Sequence, residues 1–297
     1  MDLFTRCCYI YEHLHNFRIV PSFALTPLRR AVRKFANITI PKSFENNDLR
    51  KDVPQSDIIV SLTSFPARIN HVYLVVECFL RQTILPKKIL LWLAKSQFPS
   101  GVPEKLANLI NDVFEIRYVE NDYRSHKKYL YALREFPDDW ILLVDDDIYY
   151  PSDTIEKMML AREKYPNSVI CRYASPLVVE NGTIPPDLSW WKETNNDMYS
   201  RSLFFGSGGG TLLNARLLYE DVTDIDKALM LTPTADDIWL NAMVNLKGTD
   251  KYKIKCGLLL PIMIKDDITL YSDNKNNHEN DMQFKAMVEY YKDKKVF

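Results

Sequence analysis

The chain has 297 residues, room for one large domain or two ordinary ones. Its 46% hydrophobic and 26% charged residues exclude a disordered tail protein, a collagen-like repeat and a disulfide-scaffolded toxin. With 38 Lys plus Arg against 39 Asp plus Glu, the formal charge is -1, so no global basic field exists to hold nucleic acid. A polyanionic partner therefore needs a local site.

Five cysteines, at 7, 8, 78, 171 and 256, form no C-x-x-C, and adjacent Cys7 and Cys8 are poorly placed to bridge, which points to a reducing compartment. No run approaches the roughly 18 apolar residues of a membrane span, and the start lacks the compact apolar stretch of a secretory signal, so a cytoplasmic protein is expected. Residues 1–35 carry six basic side chains against Asp2 and Glu12, a local charge of +4, interleaved with Leu3, Phe4, Tyr9, Ile10, Leu14, Phe17 and Ile19. That mix suits either peripheral contact with an anionic membrane face or an extension packed on the main fold. Residues 36–56 are polar, hold two prolines and read as a connector.

From Asp57 onward, strand and helix signals alternate. A β-rich run over 58–63 precedes Ile69, Val72, Tyr73, Val76 and Leu80, whose spacing marks one face of a helix. A second unit pairs the strand 88–94 with a helix opened by Pro103 over Leu106, Leu109 and Ile110. A third pairs 114–119 with a helix over 127–134, and a fourth strand covers 140–144. Apolar strands without alternation, separated by helices, predict a parallel sheet covered on both faces, with ligands bound beyond its carboxyl ends. After a helix over 154–164 the pattern loosens into short strands, a helix over 236–246, strands near 252–256 and a final helix over 282–291. This second half reads as α+β.

The strongest chemical signal is LLVDDDIYYP, a buried strand that delivers Asp145, Asp146 and Asp147 at its carboxyl end. Three adjacent carboxylates repel one another unless a cation or a proton offsets the charge, and their oxygens suit Mg²⁺ or Mn²⁺ bound with several waters. A solvated turn before Pro151 is the plainer alternative. Thr63, Ser64, Phe65 and Arg68 follow the first strand and can hold a base and a phosphate, or form an ordinary hydroxyl-rich turn. Arg124, Lys127 and Lys128 can neutralise a diphosphate or decorate a helix. Four of the eight glycines crowd into FFGSGGGT, where Gly208 and Gly209 could offer backbone N–H groups to a sugar or phosphate, or form a strained turn against the core. In TADDIW, Asp236 and Asp237 open a helix, where one carboxylate serves as a cap and the other is spare. His126 and His278 are the histidines left as site candidates, and a solvated loop histidine is the plainer reading of His278. Trp190 and Trp191 could stack on a sugar or pack a lid, and Asp266 with Asp267 reads as a turn.

LLVDDDIYYP resembles the D-x-D motif of GT-A glycosyltransferases, and with TSFPARI and HKKYLYAL the chain is similar, over roughly 57–260, to a bacterial family of that fold linked to surface polysaccharide synthesis. The resemblance implies an α/β, Rossmann-like GT-A fold with a mixed sheet, in which residues 1–50 form the basic extension and connector. Residues 51–297 are then the transferase domain, with a nucleotide-binding half over 57–150 and an acceptor-binding half over 151–297. It also implies a nucleotide-sugar donor, a UDP-sugar, and Mn²⁺ or Mg²⁺, with a glycan as acceptor. By residue, Asp147 is the direct metal ligand, Asp145 holds the ribose or a metal-bound water, Asp146 flanks them, and His278 completes the metal site. Thr63, Ser64, Phe65, Arg68, Lys128, Gly208 and Gly209 bind the donor. Asp237 is the general base of an inverting transfer and Asp236 a cap or acceptor ligand. A nucleotidyltransferase and a non-catalytic carbohydrate-binding protein of the same fold remain as rivals.

Overall fold

A computed structural model of the chain describes residues 1–16, 22–49, 52–178, 195–264, 279–294 and 296–297. In chain order the helices of the first half are α1 (Leu3–Asn16), α2 (Ser22–Asn46), α3 (Ile69–Leu80), α4 (Glu104–Ala107) and α5 (Lys127–Glu135). Its strands are β1 (Ile58–Thr63), β2 (Lys88–Ala94), β3 (Phe114–Val119) and β4 (Trp140–Val144). The second half contains β5 (Ile148–Tyr149), α6 (Thr154–Lys164), β6 (Ser168–Cys171), β7 (Ala174–Pro176), β8 (Met198–Tyr199), β9 (Leu203–Phe205) and β10 (Gly209–Leu213). It continues through α7 (Ile225–Leu231), α8 (Asp236–Lys247), β11 (Asp250–Lys253) and β12 (Leu260–Pro261) to a terminal helix, Glu279–Tyr290.

The first four strands pair in parallel in the order β3-β2-β1-β4. Ile58, Ile59, Val60 and Leu62 are buried, as is every residue of β4, which is why these strands read as unbroken apolar runs. Beyond β4 the sheet changes sense. β10 runs antiparallel to both β4 and β6, β11 runs parallel to β6, and β8 closes the far edge antiparallel to β11. The result is the mixed sheet of a GT-A fold, with an eight-stranded order β3-β2-β1-β4-β10-β6-β11-β8. The helix expected after Pro103 is shorter than its apolar spacing suggests, a single turn over Glu104–Ala107.

The connector expected over 36–56 is corrected by the structure, because α2 continues through it to Asn46 despite Pro27 and Pro41. An internal proline costs about 3 kcal/mol. Against that stand Ala36, Ile40 and Phe44, spaced one turn apart and all buried, and a fully buried large side chain contributes about 1.5–3 kcal/mol. That periodicity is present in the sequence but is hidden among polar neighbours. The N-terminal extension likewise packs on the main core. Phe4, Cys7, Cys8 and Tyr11 are buried in the same apolar cluster as the sheet, and Thr5 Oγ1 donates to Ser152 Oγ at 2.9 Å. Glu12 Oε1 accepts from the backbone of Gly257 at 2.7 Å. All five cysteines are free and buried.

Candidate active site

β4 ends against a turn that few residues could form. The backbone N–H of Asp145 donates to Gly208 O at 3.0 Å and to the hydroxyl of Tyr150 at 2.9 Å, and that hydroxyl donates in turn to Gly208 O. A Cβ at Gly208 would lie 1.7 Å from Asp145 Oδ1, so the carboxylate occupies the space where any other side chain would start. The expectation that Gly209 offers its N–H to a ligand is corrected: it donates to Gly206 O at 3.2 Å, inside the turn. Close approach to the Asp145 carboxylate requires glycine at 208, and close approach to Tyr173, whose Cβ lies 2.5 Å from where a Cβ of Gly209 would stand, requires it at 209.

The three strand-end carboxylates have different surroundings. Asp146 is buried, its Oδ2 accepting from Ser64 Oγ at 2.5 Å and its Oδ1 from Arg68 Nη1 at 3.0 Å. Burial pushes its carboxyl up from the ordinary value, and Arg68 and Ser64 pull the other way. Asp147 is partly exposed and pairs with the same Arg68 Nη1 at 3.0 Å. Asp145 is the most exposed, with 42% of its side chain open to solvent, and its Oδ1 meets Lys128 Nζ at 2.9 Å. Two cations thus offset three carboxylates.

Lys128 reaches further. Its Nζ also lies 3.2 Å from Oδ2 of Asp236, at the start of α8 and 108 residues away in sequence. Burial alone would lower the ammonium, but the charges of Asp145, Asp236 and Asp237 hold it above the ordinary lysine range. Asp236 is not the helix cap expected from its position. Ala235 occupies the cap without a side-chain bond, and the Asp236 carboxylate turns instead to Lys128 and to Ser207 Oγ, at 2.6 Å. Burial would raise Asp236, yet Lys128, His126 and Ser207 bring it below its ordinary value. Asp237 behaves oppositely. Enclosure and the adjacent Asp236 charge push its carboxyl up to about 7, although Ser207 N–H donates to its Oδ1 at 2.6 Å. A carboxyl poised near neutrality beside a permanently charged one suits general-base work.

Next to these carboxylates lies a cavity of about 240 Å³, lined by Thr63, Ser64, Phe65, Arg68, Lys128, Asp145 and Asp146 together with Gln97, Asp122, Arg124, Ser125 and Lys127. The first loop, the basic helix and the strand end named from the sequence therefore converge on one space. Within it, Thr63 Oγ1 donates to Trp92 O at 2.7 Å, so that hydroxyl is committed to the sheet. The Arg68 guanidinium sits 5.6 Å from the Phe65 ring centroid. His126 is buried, with Nε2 2.7 Å from Thr232 O and Nδ1 2.9 Å from the Tyr129 hydroxyl, so it anchors the loop ahead of α8. His278, Trp190, Trp191, Asp266 and Asp267 lie outside the described residues.

Sequence reasoning passed over Ser207, which holds both α8 carboxylates and whose only signal was its place inside the glycine cluster. It also passed over Gln97 and Asp122, joined at 2.7 Å on the cavity wall; nothing in their local sequence marked them. Among the described residues, no group of three His, Cys, Asp or Glu side chains is gathered for a metal. Asp145 and Asp147 nevertheless fit a hard divalent cation that keeps most of its waters, since both are oxygen donors at one strand end and both are partly open to solvent.

A mixed α/β sheet with acidic residues at the carboxyl end of a parallel strand and at a facing helix start defines an α/β fold that takes its ligand beyond the strand ends. Residues 72–221 match the family model for glycosyl transferase family 2, and the chain belongs to that family. No curated protein matches the chain. Among solved structures it is similar to S. aureus TarS 1-349 in complex with UDP-GlcNAc, at 12% identity and a TM-score of 0.45 over 72% of this chain and 60% of that one. It is also similar to the mannosyltransferase PcManGT from Pyrobaculum calidifontis in complex with GDP-Man and Mn²⁺, at 9% identity and a TM-score of 0.43 over 96% of this chain and 76% of that one. The chain thus spans about 60% of the TarS chain.

Proposed function

We propose that this protein transfers a sugar from a nucleotide-sugar donor, a UDP-sugar, to a hydroxyl of a glycan acceptor, with inversion, on a cytoplasmic precursor of a surface polysaccharide. The observation that carries the reading is the Lys128 ammonium, which joins the strand-end carboxylate Asp145 to the helix-start carboxylate Asp236 beside one cavity. A leaving-group side and a nucleophile side thereby share one anchor.

In this reading the nucleoside lies in the cavity against Phe65, with Ser64 and Arg68 at its inner wall. Asp145 and Asp147 would hold a divalent cation, Mn²⁺ or Mg²⁺, which when bound supplies positive charge to the departing diphosphate. Asp146 stays buried and fixes Arg68, so that Asp147 and Arg68 keep their spacing. Asp237, raised toward neutrality, takes the proton from the acceptor hydroxyl as it attacks the anomeric carbon. Asp236 keeps its charge through Lys128 and Ser207 and holds the α8 terminus in place. Direct attack by the activated hydroxyl from the face opposite the diphosphate inverts the anomeric carbon.

The test is a thermal-shift series with UDP-sugars in the presence of Mn²⁺, followed by product analysis. Stabilisation that requires Mn²⁺ and disappears in Asp147→Asn is the expected result. Undiminished donor affinity in EDTA removes the metal from the scheme. Release of pyrophosphate instead of nucleoside diphosphate makes the protein a nucleotidyltransferase.

A further inference from the structure

Helix α2 carries two apolar stripes on opposite sides. Ala36, Ile40 and Phe44 form the buried one. The other is Leu28, Ala31, Phe35 and Ile38, spaced by three, four and three residues and therefore aligned along one side of the helix. These four are exposed, with Leu28, Phe35 and Ile38 open to solvent at 49%, 55% and 50%. A surface helix ordinarily turns charged and polar side chains that way.

The charge around this stripe has one sign. Residues 22–44 contain Arg29, Arg30, Arg33, Lys34 and Lys42 and no Asp or Glu. Arg29 is turned inward, donating to Leu14 O at 2.9 and 3.1 Å, while Arg30, Lys34 and Lys42 are exposed. Among the described residues no helix is long and apolar enough to cross a membrane. From Leu28 to Ile38 the stripe runs about 15 Å along the axis at the usual rise per residue.

We propose that this outward face of α2 docks in the plane of an anionic lipid bilayer. Leu28, Phe35 and Ile38 enter the boundary between headgroups and acyl chains, and Arg30, Lys34 and Lys42 meet the negative headgroups. Charge decides between occupants. A second copy of the chain seated on the same face would bring two sets of basic side chains together, whereas an anionic surface complements them. The helix that carries this face is tied to the carboxylate site through few links. Asn37 Nδ2 donates to Pro261 O at 3.1 Å, Asn37 Oδ1 accepts from Met263 N–H at 2.8 Å, and Ile262 N–H donates to Asp147 O at 2.7 Å. The proposal does not depend on which donor the site uses.

The experiment is co-sedimentation of the full chain with vesicles of phosphatidylcholine alone and of an equal mixture of phosphatidylcholine and phosphatidylglycerol. The wild type is expected to bind the anionic vesicles at least about tenfold more tightly, with binding that weakens as salt rises. Phe35→Glu with Ile38→Glu, and separately Arg30→Glu with Lys34→Glu, are each expected to lose about tenfold or more in that affinity. Leu160→Glu, an exposed apolar position on α6, is expected to bind as the wild type does. Circular dichroism and melting temperature check that every variant is folded, since all these side chains are exposed. Failure of the wild type to sediment, or equal binding by both α2 variants, overturns the proposal. So does light scattering that shows a dimer dispersed by Phe35→Glu with no vesicle binding, which assigns the face to a second copy. Donor binding by the α2 variants, read separately by thermal shift, is expected to stay at the wild-type level whether or not vesicles are bound.

Discussion

Two acidic groups meet at the cleft, one at the end of a strand and one at the start of a helix, and they differ in what surrounds them. Asp145 and Asp147 stand partly in solvent with a cation against each, Lys128 for one and Arg68 for the other. Asp236 and Asp237 are more enclosed and share one lysine and one serine between them, so one stays charged and the other is driven toward its neutral form. The difference teaches how a fold gives like residues unlike work. Open carboxylates at a strand end can exchange a protein cation for another positive charge at little desolvation cost. A carboxyl raised by its own neighbour can accept a proton at neutral pH.

The largest effect should come from the residue common to both groups. Lys128→Met removes the charge that Asp145 and Asp236 share and leaves Asp236 buried without its ion pair, which should cost about 3–5 kcal/mol of stability. Denaturant unfolding measures it, and a second change, Asp236→Asn, should restore part of the loss. If Lys128→Met unfolds like the wild type, the two groups are not coupled through this side chain. Asp237→Asn should be no less stable than the wild type at neutral pH but should lower kcat by about 10² or more, with donor affinity kept. Single-turnover kinetics separates the two terms, and the product anomer assigned by NMR should be inverted. A near-normal kcat excludes Asp237 as the base.

Gly208→Ala probes the strand-end group alone. Its Cβ would meet the Asp145 carboxylate at 1.7 Å, a clash that can be relieved only by moving the carboxylate off Lys128 or opening the turn onto β10. Overpacking of this kind costs about 1–3 kcal/mol. The expected reading is a lowered melting temperature together with weaker Mn²⁺-dependent donor binding, and no change in the pH profile set by Asp237. A variant that melts normally and binds donor normally would falsify the close packing of Gly208 on Asp145.

How much of this was readable beforehand follows from the range of the interactions. β1, β2, β3 and β4 were legible to the residue because β1, β2 and β4 are short, mostly apolar runs buried in a parallel sheet, and β3, at its edge, alternates apolar and charged residues. The helical course of residues 36–46 was not, since Pro41 and polar neighbours obscured the one-turn spacing of Ala36, Ile40 and Phe44. At the site, the carboxylates and Lys128 announced themselves by type and position, but the partnership of Lys128 with Asp236 spans 108 residues and only the closed fold creates it. The same holds for Ser207, whose hydroxyl and N–H serve two carboxylates that lie 29 and 30 residues further on. The glycine cluster was recognisable as a place where the backbone must come close to something. That Gly208 meets Asp145 of the same chain, while Gly206 and Gly209 meet Tyr173, depends on the antiparallel pairing of β10 with β4 and β6, which no local pattern encodes.

The smallest effect is a displacement along the pH axis. The Asp237 carboxyl lies near 7 because of its enclosure first and the Asp236 charge second, so its basic form accumulates as pH rises through that value. In the wild type kcat/KM should therefore rise with pH along a limb of unit slope centred near 7. Asp236→Asn removes the second cause and leaves the first, so the limb should move toward lower pH without disappearing. Stability carries the complementary sign. A carboxyl whose folded value is raised favours the folded state while protonated, an advantage fully present below the ordinary 3.8 and lost as pH climbs through about 7. Asp237→Asn, which cannot ionise, should therefore gain on the wild type in unfolding free energy between acid and neutral pH. Paired pH–rate profiles and denaturant titrations of the two variants measure both shifts. A limb that stays in place in Asp236→Asn shows that enclosure alone sets the Asp237 carboxyl, and a limb that moves toward higher pH reverses the assignment of the charged and the proton-accepting member of the pair.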